Sequence, residues 1–392
     1  MALAQRKRVI LVKLEATYGT DSTPAAGDAI LCRNLDINPL EGSQVERDFI
    51  RPYFGASGAI RVENYVTMNF ETELAGSGAA ATPPEWGALL KACNFSETIT
   101  AAAITGTAQA GGTTTTIKLA AAASAIDDFY TGMTVSITSG AGSGQAGEII
   151  GYNGTTKVAT IAKAWALASD ATSQYSIGAN VMYTPNSNFG TSIASTSATI
   201  YFNVDGVRHV LLGARGSFSS DLSAKQLPVL KWSFTGLLGT VSDAALPSVD
   251  FTGWQVPVAV STANTTDLNL LGFNGAVLQT LNFDMANQVV YRQLVGGESV
   301  LITDRKPTGN ISIEATTVAT KDWWALAKNA TTGPFCVKHG QAAGNIVAVV
   351  APKVQLMQPK YSDSDGVAMF DAQLAFIPSG ASGNDEIRIC CK

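Results

Sequence analysis

Two short stretches of this chain spell the same helix: TPPEWGALLKACN at 82–94 and TKDWWALAKNA at 320–330, with W-x-A-L-x-K in both. A helix of about three turns does not hold by itself in water, so each copy needs a sheet to lie against. In the first copy Thr82 stands three residues before Glu85, the capping-box spacing, and Pro83 takes the first helical position. Trp86, Leu89, Leu90 and Cys93 then form one apolar face, and Lys91 falls in the last turn. The second copy repeats the plan with Trp323, Leu326, Ala327 and Ala330 on one face, Asp322 in the first turn and Lys328 in the last. Trp86, Leu89, Trp323 and Leu326 are the expected helix core.

The segments before the two helices agree in order. LDINPL, QVER, the long stretch FIRPYFGASGAIRVENY and VTMNFETEL precede the first. LNFDM, QVVYR, the long stretch QLVGGESVLITDRKPT and NISIEATT precede the second. Val66, Met68, Phe70, Thr72 and Leu74 alternate with polar residues, the period of a half-buried antiparallel strand. After the helices come SATIYFNVDGVRHVLLGARGSF and LPVLKWSFTGLL in one half, and PFCVKHG, NIVAVVAPKVQLMQP and VAMFDAQLAFIP in the other. This pattern predicts an internal duplication of a mainly β unit: two tandem antiparallel barrels or sandwiches, each with one short flanking helix.

Between the first helix and its next strand lies a Thr-, Ala- and Gly-rich block, 97–182, that the second half lacks. Phe129, Tyr130, Val135, Ile137, Ile149, Ile150, Val158 and Trp165 supply a core, and Asn153-Gly154 signals a hairpin, so the block reads as an inserted small β-domain rather than a disordered loop. The expected division is 1–96 and 183–245 for the first unit, 97–182 for the insert and 246–392 for the second unit.

Charged residues make up only 15% of the chain, against about 25% in ordinary domains. Such a surface of small polar residues suits protein that will be covered by more protein. A net charge of −5 argues against a nucleic-acid binder with a basic patch. The start MALAQRKRVILVKLE is basic with too short an apolar run for a signal peptide, and no run approaches the ~18 residues of a membrane helix. Synthesis in the cytoplasm is expected. Five scattered cysteines do not form a disulfide framework.

No constellation carries catalysis, and no cofactor or metal is expected. Gly142, Gly144 and Gly147 match a dinucleotide fingerprint as a string, but a strand follows them where the phosphate site needs a helix. DSDG at 363–366 lacks the Glu that an EF-hand loop requires, since Leu374 stands there. His209 and His339, one per half and each preceded by a cation, read as duplicated positions; there is no Cys at ligand spacing. The long stretches are the better candidates, because a connection of that length is functional or disordered. The first, with Arg47, Phe49, Arg51, Tyr53, Phe54, Arg61 and Tyr65, combines Arg with aromatics as interfaces do. The second carries Arg292, Glu298, Asp304, Arg305 and Lys306. Both read as assembly arms.

The run ILCRNLDINPLEGSQVERDFIRPYFGASGAIRV, then VTMNFETELAGSG, PPEWGALLKAC, DGVRHVLLGARGSF and PVLKWSFTGLL, resembles the tail tube (major tail) proteins of long-tailed bacteriophages, leaning to the non-contractile kind. The likeness spans most of 15–96 and 183–240, and FYTGMTVSITSGAGSGQAGEIIGYNGTTKVATIAKAW is similar to small β-modules inserted in phage virion proteins. The resemblance implies a structural virion protein whose domains form six-barrel rings, three fused chains to a pseudo-sixfold ring, with the arms in ring stacking. The rings stack into the conduit for the genome, and the insert lies outside. Implied partners are further copies of the chain, a tape-measure protein and transiently double-stranded DNA in the lumen, and tail terminator and distal tail proteins at the ends, without membrane insertion. The alternative kept open is a virion surface module contacting host glycans through the insert; a carbohydrate-active enzyme would need paired carboxylates that spacing cannot reveal.

Overall fold

The computed structural model describes residues 3–192 and 196–392; Met1 and Ala2, at the head of the basic start, lie outside them. The chain begins with β1 (Arg8–Leu14), β2 (Ala29–Ile30), β3 (Arg33–Glu41), β4 (Gln44–Glu46), β5 (Ala59–Arg61) and β6 (Tyr65–Glu73), followed by α1 (Gly87–Ala92). β7 (Phe95–Thr100) leads out to β8 (Ile104–Thr107), β9 (Thr116–Lys118), β10 (Thr134–Ser139), β11 (Ala146–Asn153), β12 (Val158–Ile161) and β13 (Gln174–Ile177). β14 (Asn180–Pro185) returns to β15 (Ala198–Val204), β16 (Val207–Ser223), β17 (Val229–Leu238) and β18 (Ser242–Asp243). The second half runs β19 (Thr265–Leu270), β20 (Leu278–Asp284), β21 (Asn287–Leu294), β22 (Gly297–Arg305), β23 (Thr308–Glu314) and α2 (Trp323–Lys328). It closes with β24 (Thr332–His339), β25 (Val347–Ser364), β26 (Val367–Phe376) and β27 (Arg388–Cys391). The chain is mainly β, as its alternating patterns predict.

Two layers enclose the core. The first has the strand order β3-β6-β17-β16-β20-β23-β26-β25, all antiparallel. β16 and β25 are long because each serves both layers. The N-terminal part of β16 pairs with β15, which pairs with β1, while β25 pairs at its N-terminal part with β24 and β27. The order β1-β15-β16-β17-β6-β3 thus recurs as β19-β24-β25-β26-β23-β20. Phe218, Trp232, Phe234, Phe283, Phe335 and Phe370 fill the space between the layers across both halves.

Each helix closes one end of that core with a tryptophan. Trp86 is buried and its indole N–H donates to Ala75 O (2.8 Å), two residues past β6. Trp323 is buried and donates to Thr316 Oγ1 (3.0 Å), two residues past β23. Leu89, Leu90 and Cys93 are buried as their spacing predicts, and Leu326 and Ala327 are half-buried against the same core. Three local expectations fail. The capping box of Thr82 and Glu85 does not form and Pro83 is not the first helical residue, because α1 starts later, at an N-cap of Trp86 with no side-chain cap. The Glu85 carboxylate instead abuts Gly253, where a Cβ would come within 1.9 Å of it, and burial with Asp250 and Asp28 nearby raises its pKa. Ala330 lies past α2 and is exposed, with a left-handed φ of 50°. Asp322 caps α2, accepting from Ala325 N (2.8 Å).

The inserted block forms its own sheet, β8-β13-β10-β11-β12-β9. Of its glycine string, Gly142 and Gly144 lie in the turn between β10 and β11, with φ of 77° and 87°, and Gly147 lies in β11, a strand and not a helix. Asn153 starts a hairpin turn, its side chain accepting from Thr155 N and Thr156 N. The pair β7 and β14 belongs to the large sheet, where β14 also pairs with β27, Val181 opposite Cys391. The insert core runs into that sheet through Met182, Ala348 and Cys390. A buried Glu148 on β11 fixes the junction. It accepts from Thr134 Oγ1 (2.8 Å), bonds Lys392 and lies 3.7 Å from Lys338 Nζ. Burial pulls the Lys392 pKa down, and the Glu148 carboxylate together with Cys390 and Cys336 more than offsets it, so it stands above the ordinary value.

Trp86→Phe leaves the Ala75 carbonyl unpaired in the core and is expected to lower the unfolding free energy by about 1–3 kcal/mol; Trp86→Ala is expected to cost about 3–5 kcal/mol, both read by denaturant melts. Glu148→Gln leaves the buried Lys392 ammonium without a counter-charge, while Lys338 keeps Asp267, and a loss of about 3–5 kcal/mol is expected. Adding Lys392→Met to that variant is expected to restore part of the melting temperature.

Candidate assembly interface

In the first layer, Val66, Met68, Phe70, Trp232, Phe283 and Phe370 turn to the core. By the period of two, the opposite face carries Asn69, Glu71, Lys231, Asn282, Asp284, Asn310, Asp371 and Gln373, all partly or fully exposed. Acids outnumber bases there. Glu71 meets Arg33 (3.0 Å) and Asp221 meets Lys231 (3.4 Å), whereas none of the described ion pairs involves Asp284 or Asp371. Each half bears the same shallow hollow on this face, one bounded by Asn69, Glu71, Ser219 and Lys231, the other by Asn310, Ser312, Lys360 and Asp371.

The halves meet in this layer through backbone pairing. The C-terminal part of β16 pairs with β20: Ser219 opposite Asp284, Asp221 opposite Asn282, Ser223 opposite Thr280. The layer then ends on two edges for which no strand pairing exists among the described residues: the outer edge of β3 and the outer edge of the C-terminal part of β25. Tyr361 on the latter is 60% exposed. On the former, Leu35 O accepts from the Arg8 guanidinium (2.8 Å). These two edges correspond, strand for strand, to the two edges joined inside the chain. Ser362 lies opposite Met369, which lies opposite Glu314, just as Asp221 lies opposite Val229 and Val229 opposite Glu73. Asp36 lies opposite Asn69 as Asn282 lies opposite Asn310. Ser362 therefore occupies the place of Asp221, and Asp36 the place of Asn282.

The long stretches flank this layer. The first is a small hairpin, β4 with β5, whose loop projects into solvent: Ile50 and Phe54 are fully exposed. Arg47 sits over Phe49 (4.8 Å), and Arg51 sits near Phe49 and Tyr53 (5.8 and 5.9 Å). Arg61 is tied to the hairpin root, donating to Glu41 O and Leu40 O, and Tyr65 packs on Tyr291 (4.7 Å between rings). The second is a longer hairpin, β21 with β22, folded down on the first half of its own chain. Val300 N donates to Tyr18 Oη (2.6 Å), and Arg215 Nη1 donates to Val300 O (3.2 Å). The side chain of Asn287 bridges Cys93 O (2.9 Å) and Gly216 O (3.0 Å). Arg305 pairs with Glu386 (3.0 Å), Asp304 with Lys306 (3.8 Å), and Glu298 accepts from Tyr291 Oη (2.7 Å), while Arg292 is exposed. Asn287, Arg215 and Tyr18 carry no sequence signal, because what matters is which backbone carbonyl or ring comes within reach.

The two histidines are not equivalent. His339 ends β24, between Thr265 Oγ1 (2.9 Å) and Val258 O (3.0 Å), whereas His209 lies on β16, the counterpart of β25. Burial lowers the pKa of both. The cysteines are free, four of them buried, and burial raises the half-exposed Cys32 thiol to about 11. DSDG is the β25–β26 turn, with Asp365 and Gly366 at φ of 55° and 81°. Among the described residues no helix is long and apolar enough to cross a membrane.

No curated protein matches the chain. Residues 5–378 match the family described as phage tail tube protein. With a match over nearly the whole length, on a β-rich fold, this chain belongs to the phage tail tube protein family and is a structural component of a phage tail.

Proposed function

We propose that three copies of this chain close a pseudo-sixfold ring, and that stacked rings form the tube through which the genome leaves the virion. One observation carries this reading: the open edges of β3 and β25 are the counterparts of the edges joined at the β16–β20 seam. Pairing β25 of one copy with β3 of the next repeats that seam between chains. It sets Ser362 opposite Asp36, Tyr361 opposite Ile37 and Lys360 opposite Asn38. Pro39 stands where Met285 donates to Phe218 O, so the second seam ends one bond earlier. Unpaired sheet edges are aggregation-prone, and a head-to-tail contact that closes removes them all. The acidic, small-residue face then lines the bore, where carboxylates repel passing phosphates. The insert, 97–182, packs on β24 and β25 in the other layer and so lies outside; residues 1–96 with 183–245 make the first tube unit and 246–392 the second. The interior partners are the tape-measure protein and DNA, the end partners are the terminator and distal tail proteins, and assembly takes place in the host cytoplasm.

The double variant Asp36→Cys/Ser362→Cys is expected, on mild oxidation, to give a covalent species that stops at three chains on a non-reducing gel. Either single variant is expected to give no such ladder. Electron microscopy of the oxidised sample is expected to show discs with outward knobs. A double variant that stays monomeric, or a ladder running past three, would overturn the closed ring.

A further inference from the structure

The two hairpins differ in what covers them. In the β21–β22 hairpin, Val300 and Leu301 are buried (0% and 8% exposed) against the first half of the chain. In the β4–β5 hairpin, Val45 and Ile60 are 54% and 55% exposed, although both hairpins leave the same strand of their half. The grooves differ in the complementary way. Between α1 and β16 the root of β21 is seated, with Asn287 bridging the helix end to the strand. Between α2 and β25 lies a groove of about 500 Å³, open to solvent, walled by Trp324, Ala327, Lys328, Leu356, Met357 and Pro359. Leu356 is the counterpart of Gly216, since it lies opposite Leu374 as Gly216 lies opposite Phe234. Beside it Trp324 packs on Tyr361 (5.0 Å between rings), another exposed aromatic.

We propose that the β4–β5 hairpin of a second copy of this chain seats in the groove between α2 and β25, as β21–β22 seats on the first half of its own chain. The occupant is argued from within the molecule. One bare hairpin and one bare groove remain, and their counterparts are already joined. The groove also opens beside the strand edge to which β3 of the neighbour pairs, and β4 follows β3 directly. The hairpin brings branched apolar residues, and the groove offers an indole, a thioether and a proline ring, so the contact is apolar with a polar rim. The first arm is thereby a clasp between neighbours within one ring. This inference rests on the ring reading for its geometry, but each can fail without the other.

The test places a photo-crosslinking benzoylphenylalanine at Ile60, an exposed position, in the full-length chain with its native cysteines. Isotopically heavy and light chains are mixed before irradiation so that adducts between chains are recognised by mass. The expected adducts join position 60 of one chain to residues 324–328 or 355–359 of another. Met357→Glu is expected to cut their yield by about tenfold, the equivalent of about 1.4 kcal/mol. Rings seen by microscopy with adducts mapping elsewhere, or only within one chain, would overturn the clasp and leave the ring standing. Groove adducts from a sample that never closes rings would keep the clasp and overturn the ring. Monomers without inter-chain adducts would overturn both.

Discussion

Backbone hydrogen bonding at the sheet edges governs this molecule. The β16–β20 seam turns two repeats into one continuous layer, and the rest of the chain is arranged around it. β16 is long enough to leave the layer of β15 and enter that of β20, so a single strand carries the fold from one layer to the other. Because β25 has nearly the same length and stands to β24 and β26 as β16 does to β15 and β17, the layer ends on an edge already shaped for a β3. An exposed edge of this kind is a template for pairing. In the proposed ring, that template is the means of assembly.

Buried charge does a different job. Glu148 binds the insert to Lys392 and to Lys338, so the insert is fastened to the second half although it is covalently part of the first. Glu15 accepts from Gly213 N, Gly19 N, Ser197 Oγ and Thr199 Oγ1, fixing the point at which β16 changes layers. Buried carboxylates persist only when paired or hydrogen-bonded, and both meet that condition, chiefly with groups distant in sequence. With β14 paired to β27 as well, the chain behaves as one block with its bare surfaces at the two layer ends.

The features legible in the sequence were those with short-range periodicity. Alternation gave the strands, the spacing from Trp86 to Cys93 gave a helix with one buried face, and Asn153-Gly154 gave the β11–β12 turn. The order of elements gave two similar halves. Errors arose where a distant segment intervened. Thr82 and Glu85 have capping-box spacing, but the chain near Gly253 comes against Glu85 and the helix starts beyond it. His209 and His339 look alike in sequence and lie on strands that do not correspond, because local resemblance says nothing of which edge pairs with which.

What the sequence determined by itself was the β class, the repeated helix and the presence of two unusual connections. Each follows from the spacing of apolar residues over a few positions. Only the tertiary structure decided that one connection is folded down and the other bare, since that depends on a seam between strands far apart in sequence. The chain joins β16 to β20 by its own connectivity, and no covalent link offers β25 its β3. The same local code therefore yields a satisfied hairpin in one half and an unsatisfied one in the other.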